Sequence, residues 1–190
     1  YTRNAKGKWL RSKEILPPKG SEAEAVGNGF GYDVALDGST LVIGVYGRKY
    51  KPNNPQAPNI RSLEVISYSK GVYKTTLDKE SKVERIDIVS KGEMPSGLVS
   101  ADNGKIVYST HGLEKGARFR VYLYEDGNVN KSFVSPTVVK DVDRTWFGSS
   151  IALKNNFLIV DSPGEKPRGA AWLFNLEAPS AKPRRLAIPN

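Results

Sequence analysis

Residues 30–47, FGYDVALDGSTLVIGVYG, return without a gap as residues 147–164, FGSSIALKNNFLIVDSPG. The two copies share an opening Phe-Gly, an Ala-Leu pair, an apolar run and a closing Gly. A weaker copy, PSGLVSADNGKIVYSTHG, lies between them at residues 95–112. Self-similarity of this kind is typical of repeat architectures, so we predict that the chain is built from three copies of one unit.

Each copy predicts four short antiparallel strands. The first strand ends at a polar turn whose residues tolerate the positive φ of two-residue hairpins: Asp37-Gly38, Asn103-Gly104 or Asn155-Asn156. The apolar run that follows is the second strand, since near-continuous hydrophobicity fits a strand buried on both faces. The third strands are predicted at Leu63–Tyr68, Arg120–Tyr124 and Ala171–Phe174, and the outer strands at Tyr73–Leu77, Asn130–Val134 and Arg184–Ile188. In the first copy a turn at Lys70-Gly71 is expected to separate these last two strands.

Four short strands per unit are typical of β-propeller blades. No segment shows a sustained helical period, so the fold class is predicted to be all-β, with three four-stranded antiparallel sheets. The repeats are expected at about residues 17–77, 78–134 and 135–190 of a single domain that covers residues 1–190. Residues 8–16 are predicted to be an orphan outer strand of a preceding blade. Equivalent positions of a repeat usually share an environment, so Phe30 and Phe147 are predicted to be buried where neighbouring blades meet.

Several of these residues resemble the FG-GAP repeat of integrin-alpha-like β-propellers. The Phe-Gly opening is present as Phe30-Gly31 and Phe147-Gly148, and the Gly-Ala-Pro that closes the repeat is represented by residues 44–46 and 161–163. The resemblance covers nearly the whole chain and is poor in the second copy, where Pro95-Ser96 stands in place of Phe-Gly. It implies a propeller with a role in adhesion or recognition, in which loops on a rigid scaffold carry the function.

Three blades are fewer than the four to eight of closed propellers. An open array would leave sheet edges and apolar faces uncovered. We therefore expect further blades, on flanking sequence or on a partner chain, and interpret the chain as part of a larger propeller. It opens on Tyr1 rather than Met, as expected after removal of a leader peptide, and we predict an extracellular, cell-surface or periplasmic location.

The formal net charge is +9, from 29 basic and 20 acidic residues. Such a surplus favours acidic partners, among them an anionic glycan, a membrane surface, a nucleic acid or an acidic protein. The alternative is a surface charge that serves only solubility. The sequence has no run of eighteen apolar residues, so no membrane span is predicted. The absence of Cys excludes disulfides and thiolate metal sites.

Neither a metal site nor a catalytic constellation is predicted. The resemblance implies a calcium loop, which needs several oxygen ligands on alternating positions, but each polar turn of this chain has at most one carboxylate. Asp141 and Asp143 are flanked by Lys140 and Arg144 and are interpreted as a charged loop. His111 is the only histidine and is interpreted as a loop residue. A single histidine does not support a His-based metal site or a catalytic triad. We therefore expect neither an enzyme nor a cofactor.

The basic residues of interest fall in the connections between second and third strands, which all open on one face of a propeller. The predicted ligand-binding face consists of Tyr46, Arg48, Lys49, Tyr50, Lys51, Lys115, Lys166 and Arg168. Glu114 and Glu165 oppose this charge. Clustered charge would focus positive potential on acidic ligands, and tyrosines supply stacking surface that interfaces favour. The alternative is that these connections are ordinary solvated loops.

The resulting hypothesis is a non-catalytic recognition or adhesion module that presents its basic loop face to a protein or an acidic glycan. One alternative is a structural subunit of a larger complex, and another is the propeller domain of an enzyme whose catalytic part lies elsewhere. The expected partners are a protein or further propeller blades, with an acidic glycan or acidic protein as the ligand. Nucleic acid is not expected.

Overall fold

The computed structural model describes residues 2–11, 14–20, 29–52, 63–77, 82–87, 93–112, 119–137, 145–178 and 180–186. Across these ranges the chain forms β-strands joined by turns, and none of the described residues is helical. The predicted all-β fold class is confirmed.

Twelve of the strands form three four-stranded antiparallel sheets, each a meander in which consecutive strands pair. Sheet 1 contains β3 (Phe30–Asp37), β4 (Thr40–Pro52), β5 (Leu63–Thr76) and β6 (Glu84–Arg85). Sheet 2 contains β7 (Glu93–Asp102), β8 (Lys105–Gly112), β9 (Arg120–Glu125) and β10 (Asn128–Phe133). Sheet 3 contains β11 (Ile151–Lys154), β12 (Phe157–Ser162), β13 (Ala170–Asn175) and β14 (Arg184–Leu186). The three predicted sheets are confirmed, and those described do not close into a ring.

The polar turns of sheets 2 and 3 lie where the sequence predicts them. Asn103 has a φ of 53°, and Asn155 and Asn156 have φ values of 48° and 63°. In the turn between β9 and β10, Asp126 and Gly127 have φ values of 52° and 82°. These are the left-handed conformations that tight hairpins need and that Asn, Asp and Gly adopt at little cost.

Sheet 1 departs from the prediction at its third strand. β5 runs straight through Lys70 and Gly71, which lie opposite Tyr46 and Val45 of β4, so the expected turn was wrong. The fourth strand is instead Glu84–Arg85, which pairs with Lys74 and Tyr73 and lies beyond the boundary predicted at residue 77. Val72 and Tyr73 explain the difference, because both are buried in the core and extend the ladder past a Lys-Gly pair that can also form a turn.

The N-terminal residues also pair differently from the expectation. Trp9–Leu10 form β2, which pairs with β1 (Thr2–Arg3) in a two-stranded ribbon rather than with a blade. The turn between them is closed by the side chain of Asn4, whose Oδ1 accepts from the backbone N–H of Lys8 at 2.9 Å. A local hairpin of this size has a low closure entropy. The outer strand predicted at residues 8–16 is therefore replaced, at Trp9 and Leu10, by a local ribbon.

The sheets stack face to face in chain order. Strand β7 packs on β3, β4 and β5, and β11 packs on β7 and β8, so the first strands of successive sheets are neighbours. The core between sheets 1 and 2 includes Val42, Val72 and Ile86 on one side and Val99, Ile106, Tyr108, Tyr122 and Tyr124 on the other. The core between sheets 2 and 3 includes Val107, Val121, Leu123 and Phe133 against Phe147, Leu153, Leu158, Val160 and Trp172. Burial of these alternating apolar positions holds the stack together.

The two equivalent phenylalanines differ in their burial. Phe147 is fully buried at the junction of sheets 2 and 3, as predicted. Phe30 is only partly buried and contacts Tyr73 edge to face, with ring centroids 5.9 Å apart. The expectation of equal burial was wrong for Phe30, because its side of sheet 1 has no preceding sheet among the described residues.

Candidate functional site

The two ends of the stacked sheets carry different features. The connections between second and third strands lie at one end, here called the loop end, which also holds the start of each first strand. The polar turns after β3, β7 and β11 lie at the opposite end, here called the turn end. Antiparallel meanders impose this separation, because every strand reverses direction at one end or the other. The predicted ligand-binding residues that the structure describes lie toward the loop end, in β4 or in the connection between β12 and β13.

A two-stranded ribbon projects from the loop end of sheet 1. β3 pairs with β4 only as far as Val45, whereas β4 and β5 remain paired up to Pro52 and Leu63. At about 3.3 Å per residue, the part of β4 beyond Tyr46 adds roughly 20 Å of strand. Tyrosines and β-branched residues on both strands, among them Val65 and Tyr68, favour this continued pairing.

Four predicted site residues therefore lie in a strand, not in a loop. β4 continues through them, and each has a partner directly opposite in β5: Arg48 with Tyr68, Lys49 with Ser67, Tyr50 with Val65, and Lys51 with Glu64. The register shifts between Lys49 and Tyr50, as at a β-bulge. Because their backbone is paired with β5, these positions belong to a two-stranded ribbon and not to an irregular loop.

The third sheet contributes two further basic residues to the loop end. Lys166 and Arg168 lie in the connection between β12 and β13, and both are exposed. Lys115, predicted in the same face, and Glu114 fall outside the described residues. The structure thus brings the described basic positions to one end of the stack, on the ribbon of sheet 1 and the loop of sheet 3.

Glu165 does not oppose this charge in the way the sequence suggested. Its side chain is buried, and its two carboxylate oxygens accept hydrogen bonds from Trp172 Nε1 at 3.0 Å and Arg185 Nε at 3.2 Å. A carboxylate held in this way is neutralised by its own arginine and contributes little negative potential to solvent. The exposed charges of this loop are therefore those of Lys166 and Arg168.

An aromatic row crosses the loop end from sheet 1 to sheet 2. The ring of Tyr46 lies 5.3 Å from that of Tyr32 and 6.4 Å from that of His111, and His111 lies 6.5 Å from Phe119. Tyr32 is exposed. His111 is in strand β8, opposite Met94, and not in a loop as expected. Of the predicted site residues, Tyr46 is the one placed in this row, and the other rings were not identified from sequence.

A buried carboxylate, also missed by sequence reasoning, lies beside this row. Glu93 accepts hydrogen bonds from Arg120 Nε at 2.7 Å, Tyr122 Oη at 2.8 Å and Thr110 Oγ1 at 3.0 Å. The donors belong to β8 and β9 and are well separated from Glu93 in the sequence. No local sequence motif therefore predicts this cluster. Since its oxygens already accept three bonds, Glu93 ties the start of β7 to the rest of sheet 2.

At the turn end, carboxylates join successive sheets. Asp37, the last residue of β3, accepts a hydrogen bond from the backbone N–H of Gly104 in the next sheet at 2.6 Å. Asp102, the last residue of β7, likewise accepts from the backbone N–H of Asn155 at 2.7 Å and is also bonded by Lys154 Nζ. The same repeat position thus connects sheet 1 to sheet 2 and sheet 2 to sheet 3.

This arrangement makes a pH-dependent contribution to stability. The hydrogen bond from Lys154, followed by that from the Asn155 amide, lowers the pKa of Asp102, while Asp102 raises the pKa of Lys154. A carboxyl whose pKa is depressed by folding stabilises the fold above its unfolded pKa of about 3.9, and this contribution is lost as the pH falls through the folded pKa.

Asp102→Asn is therefore expected to lower the melting temperature by a few degrees at pH 7. The difference from the unmodified chain should shrink as the pH falls below about 4 and through the depressed folded pKa, because protonation of Asp102 leaves an uncharged group at this position in both chains. Thermal melts across pH 3 to 7 would measure this. Asp126→Asn, in an exposed turn, is the control and should melt like the unmodified chain. An Asp102→Asn deficit that stays constant with pH would contradict this role of the ion pair.

A cleft lies at the turn end between sheets 1 and 2, with a volume of about 480 Å³. Its lining carries both signs of charge: Asp37, Lys74, Lys82, Glu84 and Asp126. Lys74 Nζ lies 3.3 Å from Tyr124 Oη in its wall. Among the described residues no group of three or more His, Cys, Asp or Glu side chains could hold a metal ion. The described part of the chain also offers no helix with the length and apolar character that a membrane span requires.

Comparisons with known proteins returned no match, whether to protein-family models, to curated proteins or to solved structures. The likeness to FG-GAP repeats therefore rests on the motifs of this chain alone.

Proposed function

We propose that this protein is a non-catalytic recognition module that binds an acidic glycan or an acidic protein surface at its loop end. The observation that carries the proposal is that basic and aromatic residues lie toward the same end of the stacked sheets. Arg48, Lys49 and Lys51 lie on the projecting ribbon, and exposed Lys166 and Arg168 lie on the connection from sheet 3.

Electrostatics supports an anionic ligand. The chain carries 29 basic against 20 acidic residues, a net charge of +9. Glu165, the described acidic residue within the β12–β13 connection, is buried against Arg185. Positive potential at one end of a molecule raises the local concentration of anions and speeds their association. Arginine also binds carboxylate and sulfate groups with two parallel hydrogen bonds, which favours Arg48 and Arg168 as anchors.

The aromatic row supports recognition of a surface rather than of a free ion. Tyr32 and Tyr46 contact one another at the base of the ribbon, and Tyr32 is exposed. Tyrosine offers a rigid apolar ring together with a polar hydroxyl, which suits it to sugar rings and to protein interfaces. Glu93, whose oxygens accept bonds from Arg120, Tyr122 and Thr110, supports this end structurally.

We further propose that the three sheets are blades of an FG-GAP-type propeller, displayed outside the cell or at its surface for adhesion. The stacked meanders and the neighbouring first strands support this architecture. Loops and ribbons on a rigid scaffold are where such folds place their binding residues.

Heparin and polyglutamate serve as test ligands, a sulfated glycan and an acidic polypeptide. Replacing Arg48, Lys49, Lys51, Lys166 and Arg168 together by Ser is expected to weaken binding to one or both by about tenfold or more, as expected when focused potential is removed. Affinity of the unmodified chain should also fall with added salt, because exposed charges are screened. Titration calorimetry at two salt concentrations measures both effects.

The matched control removes the same number of basic charges elsewhere. Lys6, Lys8, Lys82, Lys182 and Arg184 are all exposed and lie outside the connections that form the loop end. Their replacement by Ser should change the affinity by less than about threefold. Equal losses in the two variants would mean that net charge alone drives binding, and would overturn the proposed site.

A further inference from the structure

The first sheet exposes an apolar face whose counterparts in the other two sheets are buried or partly buried. The front face of a sheet is here the one toward the preceding sheet, and the back face is the one toward the following sheet. On the front face, Val99 of sheet 2 and Leu153 of sheet 3 are each only 5% exposed. The equivalent residues of sheet 1 are Val34 and Leu36, which are 57% and 59% exposed.

Strand pairing confirms that these positions share a face. Val34 lies opposite Ile43, and Leu36 lies opposite Leu41, so all four residues are on the front of sheet 1. Ile43 of β4 is buried, and Ile15 packs near it. Val34 and Leu36 of β3 are exposed. The β3 side of this face therefore presents two large apolar side chains to solvent.

The third sheet shows the converse on its back face. Val42 of sheet 1 and Val107 of sheet 2 are fully buried against the sheets that follow them. Their equivalent in sheet 3 is Ile159, which is 40% exposed, and its neighbour Phe157 is exposed as well. The stack thus ends with an uncovered front at one side and an uncovered back at the other.

A glycine points to the same conclusion independently. Gly97 and Gly148 both have a φ of +85° and sit at the internal junctions, where an added Cβ would come within 3.0 Å of Tyr46 Cβ and 3.2 Å of Ser109 Cβ respectively. Gly31 lies at the start of the first sheet with the same conformation, a φ of +83°, but an added Cβ there would meet no atom of the described residues within 4 Å. The start of sheet 1 therefore has the conformation of a junction, without a neighbouring sheet among the residues that the structure describes.

We propose that a second copy of this chain covers both faces. Each internal junction packs the back of one sheet on the front of the next, and one chain carries an unused half of each kind. Sheet 3 of one copy would pack on sheet 1 of the other, and the reciprocal contact would close a two-fold symmetric ring of six sheets. Head-to-tail contacts form rings when their rotation closes, and six lies within the usual range of four to eight blades.

Two positions make the new junction differ from the internal ones. Lys154 stands where Asp37 and Asp102 supply the carboxylates that bind the next turn. Asp161 stands where Gly44 and Ser109 allow close approach, and its carboxylate accepts hydrogen bonds from the hydroxyl of Ser149 and the backbone N–H of Ser150. The contact between copies would lack the carboxylate hydrogen bonds to the next turn, and it would contain the bulkier Asp161. We therefore expect a reversible dimer whose population rises with concentration.

Sedimentation equilibrium of the 190-residue chain tests the proposal. Up to about 100 µM, the chain should shift from its own mass to twice that mass and no further. Leu36→Glu and Ile159→Glu should each remain monomeric, because each removes one half of both junctions. Leu10→Glu, at an exposed leucine of the two-stranded β1–β2 ribbon rather than of sheet 1 or sheet 3, is the control and should dimerise normally. Circular dichroism would show that all three variants keep their β structure.

Mixing the two monomeric variants tests directly whether the contact joins a front face to a back face. The Leu36→Glu chain keeps an intact back face and the Ile159→Glu chain keeps an intact front face, so the mixture should form a heterodimer through one junction. Only a front-to-back contact predicts this rescue. An unmodified chain that stays monomeric, a dimer that survives either substitution, growth beyond a dimer, or a mixture that fails to associate would each overturn the proposal. None of these measurements depends on the acidic ligand, so the two proposals fail separately.

Discussion

Gly44→Ala is expected to destabilise the protein by about 3 kcal/mol or more, at or beyond the upper end of the range for overpacked cores. A Cβ at this position would overlap the carbonyl oxygen of Gly97 and lie 2.7 Å from its carbonyl carbon. Both are backbone atoms of the neighbouring sheet, so no side-chain rotation relieves the overlap. The junction between sheets 1 and 2 must open, and the buried neighbours Ile43 and Val45 must shift with it.

Urea denaturation of the variant would measure this loss from the shift in midpoint. Gly127→Ala is a suitable control, because Gly127 has a φ of +82° but an added Cβ meets no atom of the described residues within 4 Å. It should cost roughly 1–2 kcal/mol from backbone strain alone. A Gly44→Ala variant less destabilised than this control would show that the sheets do not approach as closely as the structure has them.

The sequence predicted sheets 2 and 3 well because their turns are chemically explicit. Asn103-Gly104, Asn155-Asn156 and Asp126-Gly127 favour positive φ, which fixes the hairpins and hence the register of the strands. In the Lys70-Gly71 pair of sheet 1, the lysine does not favour positive φ. Burial of the following Val72 and Tyr73 favours a continuous strand instead. Local turn chemistry is therefore reliable here only where both residues support it.

The second copy of the repeat is closer to the others than its letters indicate. Pro95-Ser96 does not match Phe-Gly, but the left-handed glycine is present one residue later as Gly97. The pairing of β7 with β8 is irregular between Pro95 and Val99, as that of β3 with β4 is between Phe30 and Asp33, so the bulge has the same length in both copies and its glycine sits one residue later in the second. A position-by-position comparison pairs Gly31 with Ser96, so the equivalent glycine at Gly97 was missed.

The candidate site was predictable in its charge and not in its geometry. Basic residues between second and third strands are visible in the sequence, and the meander places them at one end. The burial of Glu165 depends on Trp172 and Arg185, and the aromatic row depends on sheets 1 and 2 lying side by side. Contacts of this kind join residues distant in sequence, and only the packing of the sheets defines them.

Phe147→Ala is expected to cost about 3–5 kcal/mol, the usual loss when a buried phenylalanine is truncated. Phe147 is 1% exposed and belongs to the core that joins sheets 2 and 3. Its ring meets that of Phe174 edge to face at 6.2 Å, and Phe174 in turn meets Phe133 at 5.0 Å. Removing the ring leaves a cavity in this row, and domains of this size have total stabilities of only about 5–15 kcal/mol.

The adjacent residue provides an unusually close control. Trp146 is larger than Phe147 but 57% exposed, so Trp146→Ala should cost less than about 1 kcal/mol on the same denaturation assay. Phe30→Ala should fall between the two, because Phe30 holds the equivalent position on the uncovered front of sheet 1 and is only partly buried. The expected order is thus set by how completely a neighbouring sheet covers each ring. Equal losses at Phe30 and Phe147 would mean that both already lie between packed sheets in solution, which is the state that the second copy would create.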